Sequence, residues 1–195
     1  MSKRVILITG TPCTGKTSVS KQLAAKLDAL YINLTDLAKK LNLIIGEDKE
    51  RNTSIINEEE IRGKIAESID AANKNTIIFD GHYAAAVVPQ RYVTRIFVLR
   101  RNPIELRSFM EKCGFQGGKL WENLASEILD VCLVEALTKH KREKVCEVDV
   151  TGKTVEDAAI ELTSILDNHK KCSVGGVDWL GILEKEGLLE EYLKI

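Results

Sequence analysis

The chain has 195 residues and a mass of 21.7 kDa, with 28 basic and 29 acidic residues and a formal net charge of −1. Hydrophobic residues make up 44% and charged residues 29%, proportions that exclude a disordered or fibrous protein. Proteins that coat DNA or RNA by electrostatics are strongly basic, so the near-neutral charge argues against that class.

Short apolar runs alternate with longer amphipathic segments along most of the chain. Strands are predicted at residues 5–9, 30–32, 76–80, 96–99 and 145–150. Helices are predicted at residues 16–27, 35–41, 58–72, 103–112, 119–139 and 155–168. The polar stretch 42–57 predicts a loop. This alternation is typical of an α/β domain with a parallel sheet covered on both faces.

The end of the chain differs in character from the rest. Residues 173–176 read Ser-Val-Gly-Gly and predict a hinge, which divides a domain at 1–170 from a helical extension at 171–195. The extension carries large apolar residues that could line one helix face: Trp179, Leu180, Leu183, Leu188, Leu189, Tyr192 and Leu193. Two interpretations stay open, a tail folded back on its own domain and a helix that binds a partner.

The cysteines help to predict the cellular compartment of the protein. They are Cys13, Cys113, Cys132, Cys146 and Cys172. Their number is odd and no two form a CxxC pair, so we expect reduced thiols rather than a zinc site or a disulfide framework. The apolar run after the basic start is too short for a signal peptide, and no stretch is long enough to span a membrane. We therefore expect a cytoplasmic protein (nuclear as well in a eukaryote) without DNA or membrane partners.

The first predicted strand leads into a phosphate-binding motif. Residues 10–17, Gly-Thr-Pro-Cys-Thr-Gly-Lys-Thr, match the pattern GxxxxGK(S/T) between a strand and a helix. Its glycines let successive backbone N–H groups point at phosphate oxygens, and the helix N-terminus adds a favourable dipole. The lysine is expected on the β- and γ-phosphates and the threonine hydroxyl on Mg²⁺. The predicted ATP contacts here are Gly10, Cys13, Thr14, Gly15, Lys16, Thr17 and Ser18.

A second motif, Asp80-Gly81-His82, follows the third predicted strand. A carboxylate at this place can hold Mg²⁺ together with Thr17, and His82 can position a water or an acceptor oxygen. We therefore predict Lys16, Asp80 and His82 as catalytic residues. The plainer alternative is a strand-end turn followed by a surface histidine. His140 and His169 lie among lysines near helix ends and are expected to be solvated.

Together these motifs resemble the adenylate kinase isoenzyme 6 family over about residues 4–168. The resemblance is carried by residues 10–17, Tyr31-Ile32-Asn33, Asp36-Leu37-Ala38, Asp80 with His82, Val98-Leu99-Arg100, Cys113-Gly114-Phe115, Glu122-Asn123 and Glu127-Ile128. It implies a P-loop NTPase three-layer fold with a five-stranded parallel sheet in the order 2-3-1-4-5. It also implies nucleoside monophosphate (NMP) kinase activity with Mg²⁺ and ATP, ATP hydrolysis, and a transient contact with a ribosomal protein during late maturation of the small ribosomal subunit.

The resemblance assigns three further segments to ligands. Residues 33–56 would bind the monophosphate, with contacts from Asn33, Asp36 and Ile56. Residues 112–122 would form a lid that places Cys113 beside ATP. The loop 151–153 would pack on the adenine and bring in Lys153.

Two residues depart from the family's pattern. Cys13 stands where members usually carry glycine, and Cys113 stands where they carry a lid arginine that compensates charge on the transferred phosphoryl group. The cations that could replace this arginine are Arg100, Arg101, Arg107, Lys112 and Lys119.

Two functions of different class therefore remain open. One is transfer of phosphate from ATP to a monophosphate, which the phosphate-binding motif and the 33–56 segment permit. The other is a ribosome-assembly ATPase with little kinase activity, which the altered lid and the tail favour. A kinase for another small metabolite, such as a sugar acid, would leave the Asp80–His82 motif unexplained.

Overall fold

The computed structural model describes residues 3–48 and 53–193. In chain order, its strands and helices are β1 (Arg4–Thr9), α1 (Lys16–Lys26), β2 (Leu30–Asn33), α2 (Leu34–Lys40), β3 (Ile44–Asp48), β4 (Thr53–Ile56), α3 (Glu58–Ala71), β5 (Thr76–Asp80), α4 (Ala84–Val87), β6 (Val93–Arg100), α5 (Pro103–Lys112), α6 (Gly117–Ile128), α7 (Val131–Lys139), β7 (Val145–Asp149), α8 (Val155–Leu166), α9 (Trp179–Lys185) and α10 (Leu189–Tyr192).

Five of these strands form one parallel sheet in the order β2-β5-β1-β6-β7. Counted within this sheet, the order is 2-3-1-4-5, which confirms the expected three-layer P-loop fold. β1 is central and pairs with β5 on one side and β6 on the other. The carboxyl ends of the strands therefore meet along one edge, where the phosphate-binding motif and Asp80 both lie.

Each face of the sheet builds its own core. Val5 and Leu7 face a cluster that includes Ile61, Ile65 and Leu133 from α3 and α7. The alternate β1 residues Ile6 and Ile8 face α1 and α8 on the other side. This period of two is the geometry of a strand buried on both faces. Burial of each side chain of this size stabilises the folded state by about 1.5–3 kcal/mol. The two cores therefore hold the sheet and the edge that carries the site in place.

The tail after residue 173 packs on the domain. Leu183 and Tyr192 are buried in a third cluster with Leu106, Met110 and Leu124 of the α5–α6 hairpin. This agrees with the first of the two interpretations. The tail is not one helix, because the chain turns at Gly187 with φ +68° between α9 and α10.

Three local predictions were wrong. The 42–57 stretch contains an antiparallel hairpin of β3 and β4 rather than a loop; residues 49–52 lie outside the described residues. The predicted 119–139 helix is two helices, α6 and α7, because Asp130 adopts a left-handed backbone with φ +59° and turns its carboxylate to Arg100. His140 is buried rather than solvated, with its Nε2 2.8 Å from the carbonyl oxygen of Ala85.

The expectation of reduced thiols was wrong for two cysteines. Cys146 in β7 and Cys172 after α8 form a disulfide, with their Cα atoms 5.2 Å apart. The pairing follows from the return of the chain alongside β7, which a sequence separation of 26 residues does not reveal. Cys13, Cys113 and Cys132 are free thiols. Within the described ranges, no helix combines the length and apolarity needed to cross a bilayer.

Candidate active site

The phosphate-binding loop connects β1 to α1. Gly10 has φ +138°, and a Cβ there would lie 2.4 Å from the carbonyl oxygen of Leu99, so this position excludes every other residue. Thr14 closes the loop by donating its hydroxyl to the carbonyl oxygen of Thr11, 2.9 Å away. Gly15 at the start of α1 makes no side-chain cap. The first N–H groups of α1 can therefore bind a phosphate, as helix N-termini commonly do.

Lys16 folds back onto this loop, with its Nζ 2.8 Å from the carbonyl oxygen of Thr11. Burial lowers the pKa of Lys16, and the charge of Asp80 acts in the opposite direction. A desolvated ammonium gains from a nearby anion, so phosphate oxygens are well suited to this position. Ser18 is exposed on the first turn of α1.

Asp80 is the hub of the strand edge. It is 1% exposed, and its Oδ2 accepts hydrogen bonds from Thr17 Oγ1 at 2.7 Å, Asn33 Nδ2 at 2.9 Å and the Tyr31 hydroxyl at 3.0 Å. Burial, and then the charge of Asp80, raises the pKa of Tyr31 to about 12, so this phenol stays a donor. The structure thus brings together three residues that the sequence predicted separately, Thr17, Asn33 and Asp80.

The same oxygens fit a magnesium ion. Mg²⁺ takes hard oxygen ligands and is usually held by one or two carboxylates together with substrate phosphates and waters. The hydroxyl of Thr17 and the carboxylate of Asp80 supply such oxygens beside the phosphate loop.

His82 lies two residues beyond Asp80, and part of the residue is exposed to solvent. Its backbone is fixed because Thr9 Oγ1 donates to the His82 carbonyl oxygen at 2.9 Å. Desolvation by the surrounding cleft, followed by the charges of Lys16 and Lys119, lowers the pKa of His82 to about 4. The ring is therefore neutral near pH 7 and can accept a hydrogen bond from a water or orient it.

The two departures from the family's pattern touch each other. Cys13 has φ +65°, a left-handed conformation that costs a non-glycine residue about 1–2 kcal/mol. Its thiol contacts that of Cys113, at the end of α5, through a hydrogen bond. Burial, and then this contact, raises the pKa of Cys13 to about 12. The phosphate loop and the predicted lid are thus joined by a contact between two thiols.

The candidate lid cations separate into two groups. Arg100 is fully buried and ion-paired to Glu127 at 2.9 Å and Glu147 at 2.6 Å, so it is unavailable to a substrate. Arg107 pairs with Glu191 at 2.6 Å, and its guanidinium stacks on the rings of Trp121 and Tyr192.

The remaining cations lie nearer the site. Arg101 reaches the carbonyl oxygen of Thr14 at 3.5 Å, and Lys112 lies over the ring of Phe109. Lys119 is close enough to His82 for its charge to lower the histidine pKa. It lines a cavity of about 370 Å³ together with Cys113, Gly114, Phe115 and Gln116. Arg101 is buried and ion-paired to Glu105, although it touches the phosphate loop. Lys119 is therefore the best placed of the five, and Arg101 is second.

A second cavity, of about 320 Å³, lies where β2 meets α2, and two of its lining residues, Tyr31 and Asn33, bond Asp80. It is lined by Tyr31, Ile32, Asn33, Asp36, Leu37 and Lys40. Asn33 also caps α2 by accepting a hydrogen bond from the Asp36 N–H at 3.0 Å. Two of the predicted monophosphate contacts thus share one concave surface, and the third, Ile56, ends β4.

Lys153 lies further along the same edge, after β7. Its ammonium pairs with Glu161 at 2.6 Å and also bonds the carbonyl oxygen of Asp149. Its role at the adenine stays a prediction.

One residue that the sequence left without a role lies behind the phosphate loop. Glu127 is 1% exposed and accepts a hydrogen bond from the Thr11 hydroxyl at 2.6 Å. Its other oxygen accepts from the Trp179 indole at 3.0 Å. The sequence did offer a signal for Glu127, because it is an acidic residue within a predicted amphipathic helix. If such a charge is buried, it needs partners.

Comparison with known proteins places this site in a family. A family model described as an AAA domain matches residues 6–130. A "putative adenylate kinase" of Methanocaldococcus jannaschii is 38% identical over 174 residues, covering 89% of this chain and 92% of that protein. One from Pyrococcus furiosus is 35% identical over 186 residues, covering 93% and 94%. The chain belongs to the adenylate kinase isoenzyme 6 family.

Solved structures of other kinases share the fold of this isoenzyme 6 family member. A shikimate kinase from Acinetobacter baumannii superimposes with a TM-score of 0.62 at 13% identity, covering 86% of this chain and 95% of that one. A thymidylate kinase from Candida albicans gives a TM-score of 0.59 at 17% identity, covering 86% and 92%. At such identities the likeness shows a shared P-loop kinase fold and leaves the acceptor to be argued from the site.

Proposed function

We propose that this protein is an adenylate-type kinase that transfers the γ-phosphoryl group of ATP to AMP or another nucleoside monophosphate and also hydrolyses ATP. One observation carries the proposal: Asp80 Oδ2 accepts hydrogen bonds from Thr17 of the phosphate loop and from Asn33 beside the second cavity. A donor site and an acceptor site thus flank one carboxylate.

The residues act mainly by positioning and by charge. Lys16 and the N–H groups of the loop would bind the ATP phosphates, and Lys119 or Arg101 would face the charge that develops during transfer. Mg²⁺, when bound with ATP, supplies further neutralisation of the phosphate oxygens. Thr17 and Asp80 would hold it. The neutral ring of His82 would orient the attacking oxygen, that of the monophosphate or that of a water.

The acceptor would occupy the cavity beside Asn33 and Asp36. Its volume of about 320 Å³ lies at the lower end of the range for small-molecule sites. Lys40 on the same wall offers a cation for a phosphate group. The β3–β4 hairpin, which ends at Ile56, stands next along the chain and would cover the acceptor.

A second candidate is an ATPase that acts in late maturation of the small ribosomal subunit and contacts a ribosomal protein transiently. The observation that favours it is the thiol of Cys113, exposed where the family carries a guanidinium. A neutral thiol gives a transferred phosphoryl group far weaker support than a bidentate cation. Hydrolysis would then compete with transfer.

Product analysis separates the two candidates. The protein is incubated with Mg·ATP and each nucleoside monophosphate in turn, and diphosphate is separated from inorganic phosphate. Conversion of labelled AMP to ADP without an equal amount of inorganic phosphate, lost in Lys16→Ala, supports the kinase. ADP and inorganic phosphate in equal amounts, with the labelled monophosphate unchanged, support the ATPase. Turnover that Lys16→Ala leaves intact would contradict both.

A further inference from the structure

The tail reaches the phosphate loop through one buried carboxylate. Glu127 Oε2 accepts the hydroxyl proton of Thr11, the second residue of the phosphate-binding motif, at 2.6 Å. Glu127 Oε1 accepts from the Trp179 indole Nε1 at 3.0 Å. All three residues are at most 3% exposed. A residue more than 160 positions away is thus two hydrogen bonds from the loop.

The same carboxylate holds the strand next to the loop. Oε1 also accepts from Arg100 Nε at 2.9 Å and from the backbone N–H of Arg101 at 3.1 Å. The Arg101 guanidinium extends from there to the carbonyl oxygen of Thr14 in the loop. Glu127 therefore supports the loop directly at Thr11 and indirectly through Arg101.

The tail is fixed at its root by a second buried carboxylate. Glu147 Oε2 accepts from the N–H groups of Gly175 at 2.8 Å and Gly176 at 2.9 Å. Its Oε1 pairs with Arg100 Nη1 at 2.6 Å. Arg100 is thus shared between the carboxylate that anchors the tail and the one that supports the loop. Low surrounding dielectric strengthens such a network when every member is bonded.

From these contacts we propose that Trp179 and Glu127 are positioning residues of the nucleotide site, and that docking of the tail sets the conformation of the phosphate loop. The tail then contributes to ATP binding without touching the nucleotide. A loop whose donors are already oriented loses less freedom when a phosphate binds. This inference rests on the nucleotide-binding part of the proposed function and is independent of the acceptor.

Two conservative variants separate positioning from general stability. Trp179→Phe keeps a buried aromatic ring at the start of α9 and removes the donor to Glu127. Tyr192→Phe removes a hydroxyl from another buried ring of the same tail, one that bonds Arg107 of α5. Both lose one hydrogen bond, and only the first loses a bond that leads to the loop.

The first measurement needs no ligand. Hydrogen exchange of the amides of Thr11 and of residues 13–16 should be faster in Trp179→Phe than in wild type and unchanged in Tyr192→Phe. Equal exchange in wild type and both variants, or equal acceleration in both variants, would overturn the inference. This readout decides it even if the protein binds no nucleotide, an outcome that would contradict only the proposed function.

The second measurement is the dissociation constant of Mg·ATP. Trp179→Phe should weaken binding about three- to tenfold, the range that corresponds to the net free energy of one hydrogen bond, whereas Tyr192→Phe should leave it unchanged. In a Thr11→Val background the loss from Trp179→Phe should shrink, because the direct connection from Glu127 to the loop is already cut. Additive losses in this cycle would contradict the direct path from Glu127 to Thr11.

Discussion

Thr17 Oγ1 donates a hydrogen bond to Asp80 Oδ2 over 2.7 Å, although 63 positions separate the two residues. The bond joins the start of α1 to the end of β5 at the carboxyl edge of the sheet. Two hard oxygens of a kind suited to Mg²⁺ therefore lie side by side at this edge. This arrangement makes the metal dependence of the site testable.

Asp80→Asn should reduce Mg-dependent turnover about 100-fold, because a neutral amide is a much poorer partner for a divalent cation. Binding of ATP in the presence of a chelator should change far less. Tyr31→Phe is the matched control, since it removes one donor to the same oxygen and keeps the charge. The measurements are turnover against magnesium concentration and metal-free ATP affinity. Equal loss of both quantities in Asp80→Asn would indicate a structural role for this strand end.

Lys16→Ala should lower ATP turnover by at least about 100-fold and leave the melting temperature unchanged or slightly raised. The lost ammonium is the group predicted to contact the phosphates, and its removal also removes the cost of burying a charged lysine, the cause that lowers the Lys16 pKa. Lys26→Ala, which removes an exposed lysine later in the same helix, should change neither quantity. Turnover within a few-fold of wild type in Lys16→Ala would refute the phosphate-loop assignment.

Much of this site could be predicted because its chemistry is local in sequence. Residues 10–17 and Asp80 with His82 follow directly after apolar strands, so their place at the sheet edge follows from the fold class. The Cys13–Cys113 contact and the Glu127–Trp179 bond depend on how α5, α6 and the tail pack. No periodicity in the sequence encodes those distances.

The break between α6 and α7 has the same cause. The chain turns at Asp130 because the Asp130 carboxylate accepts a hydrogen bond from Arg100, a residue 30 positions earlier. A continuous apolar face runs on either side, so the pattern alone predicts one helix. Tertiary pairing of a buried charge overrides it.

The pH dependence of stability should carry a contribution from His82. Its folded-state pKa of about 4 lies below the ordinary value of 6.5, so the unfolded chain binds the extra proton between these limits. The free energy of unfolding should therefore fall as pH drops from 6.5 towards 4, and His82 should add no slope above pH 7. Denaturant unfolding of His82→Asn should show a flatter profile than wild type in this window. His169→Asn, which changes an exposed histidine outside the site, is the control, and an identical profile in wild type and His82→Asn would contradict the assignment.

Cys13→Gly should stabilise the protein modestly, by about 1 kcal/mol. Glycine adopts φ +65° without the steric cost that Cys13 bears, although the variant gives up packing against the α5–α6 cluster. Cys132→Ser, which changes another free thiol, serves as the control. Thermal unfolding measures the effect, and a fall in melting temperature would mean that the thiol contact outweighs the backbone strain.

The lid gives the sharpest test. Cys113→Arg should raise phosphoryl transfer to a monophosphate about tenfold or more, mainly in kcat, because a guanidinium can donate two hydrogen bonds to charge that develops in the transition state. Lys119→Ala should lower transfer, since this lysine lines the same cavity and its charge already reaches His82. Arg107→Ala should lower the melting temperature with little change in transfer, because its partners are Glu191 and the rings of Tyr192 and Trp121. If Lys119 already fills the place of the missing arginine, the gain in Cys113→Arg will be small and the loss in Lys119→Ala large. Unchanged transfer in both Cys113→Arg and Lys119→Ala would mean that the lid closes on the phosphates through another segment.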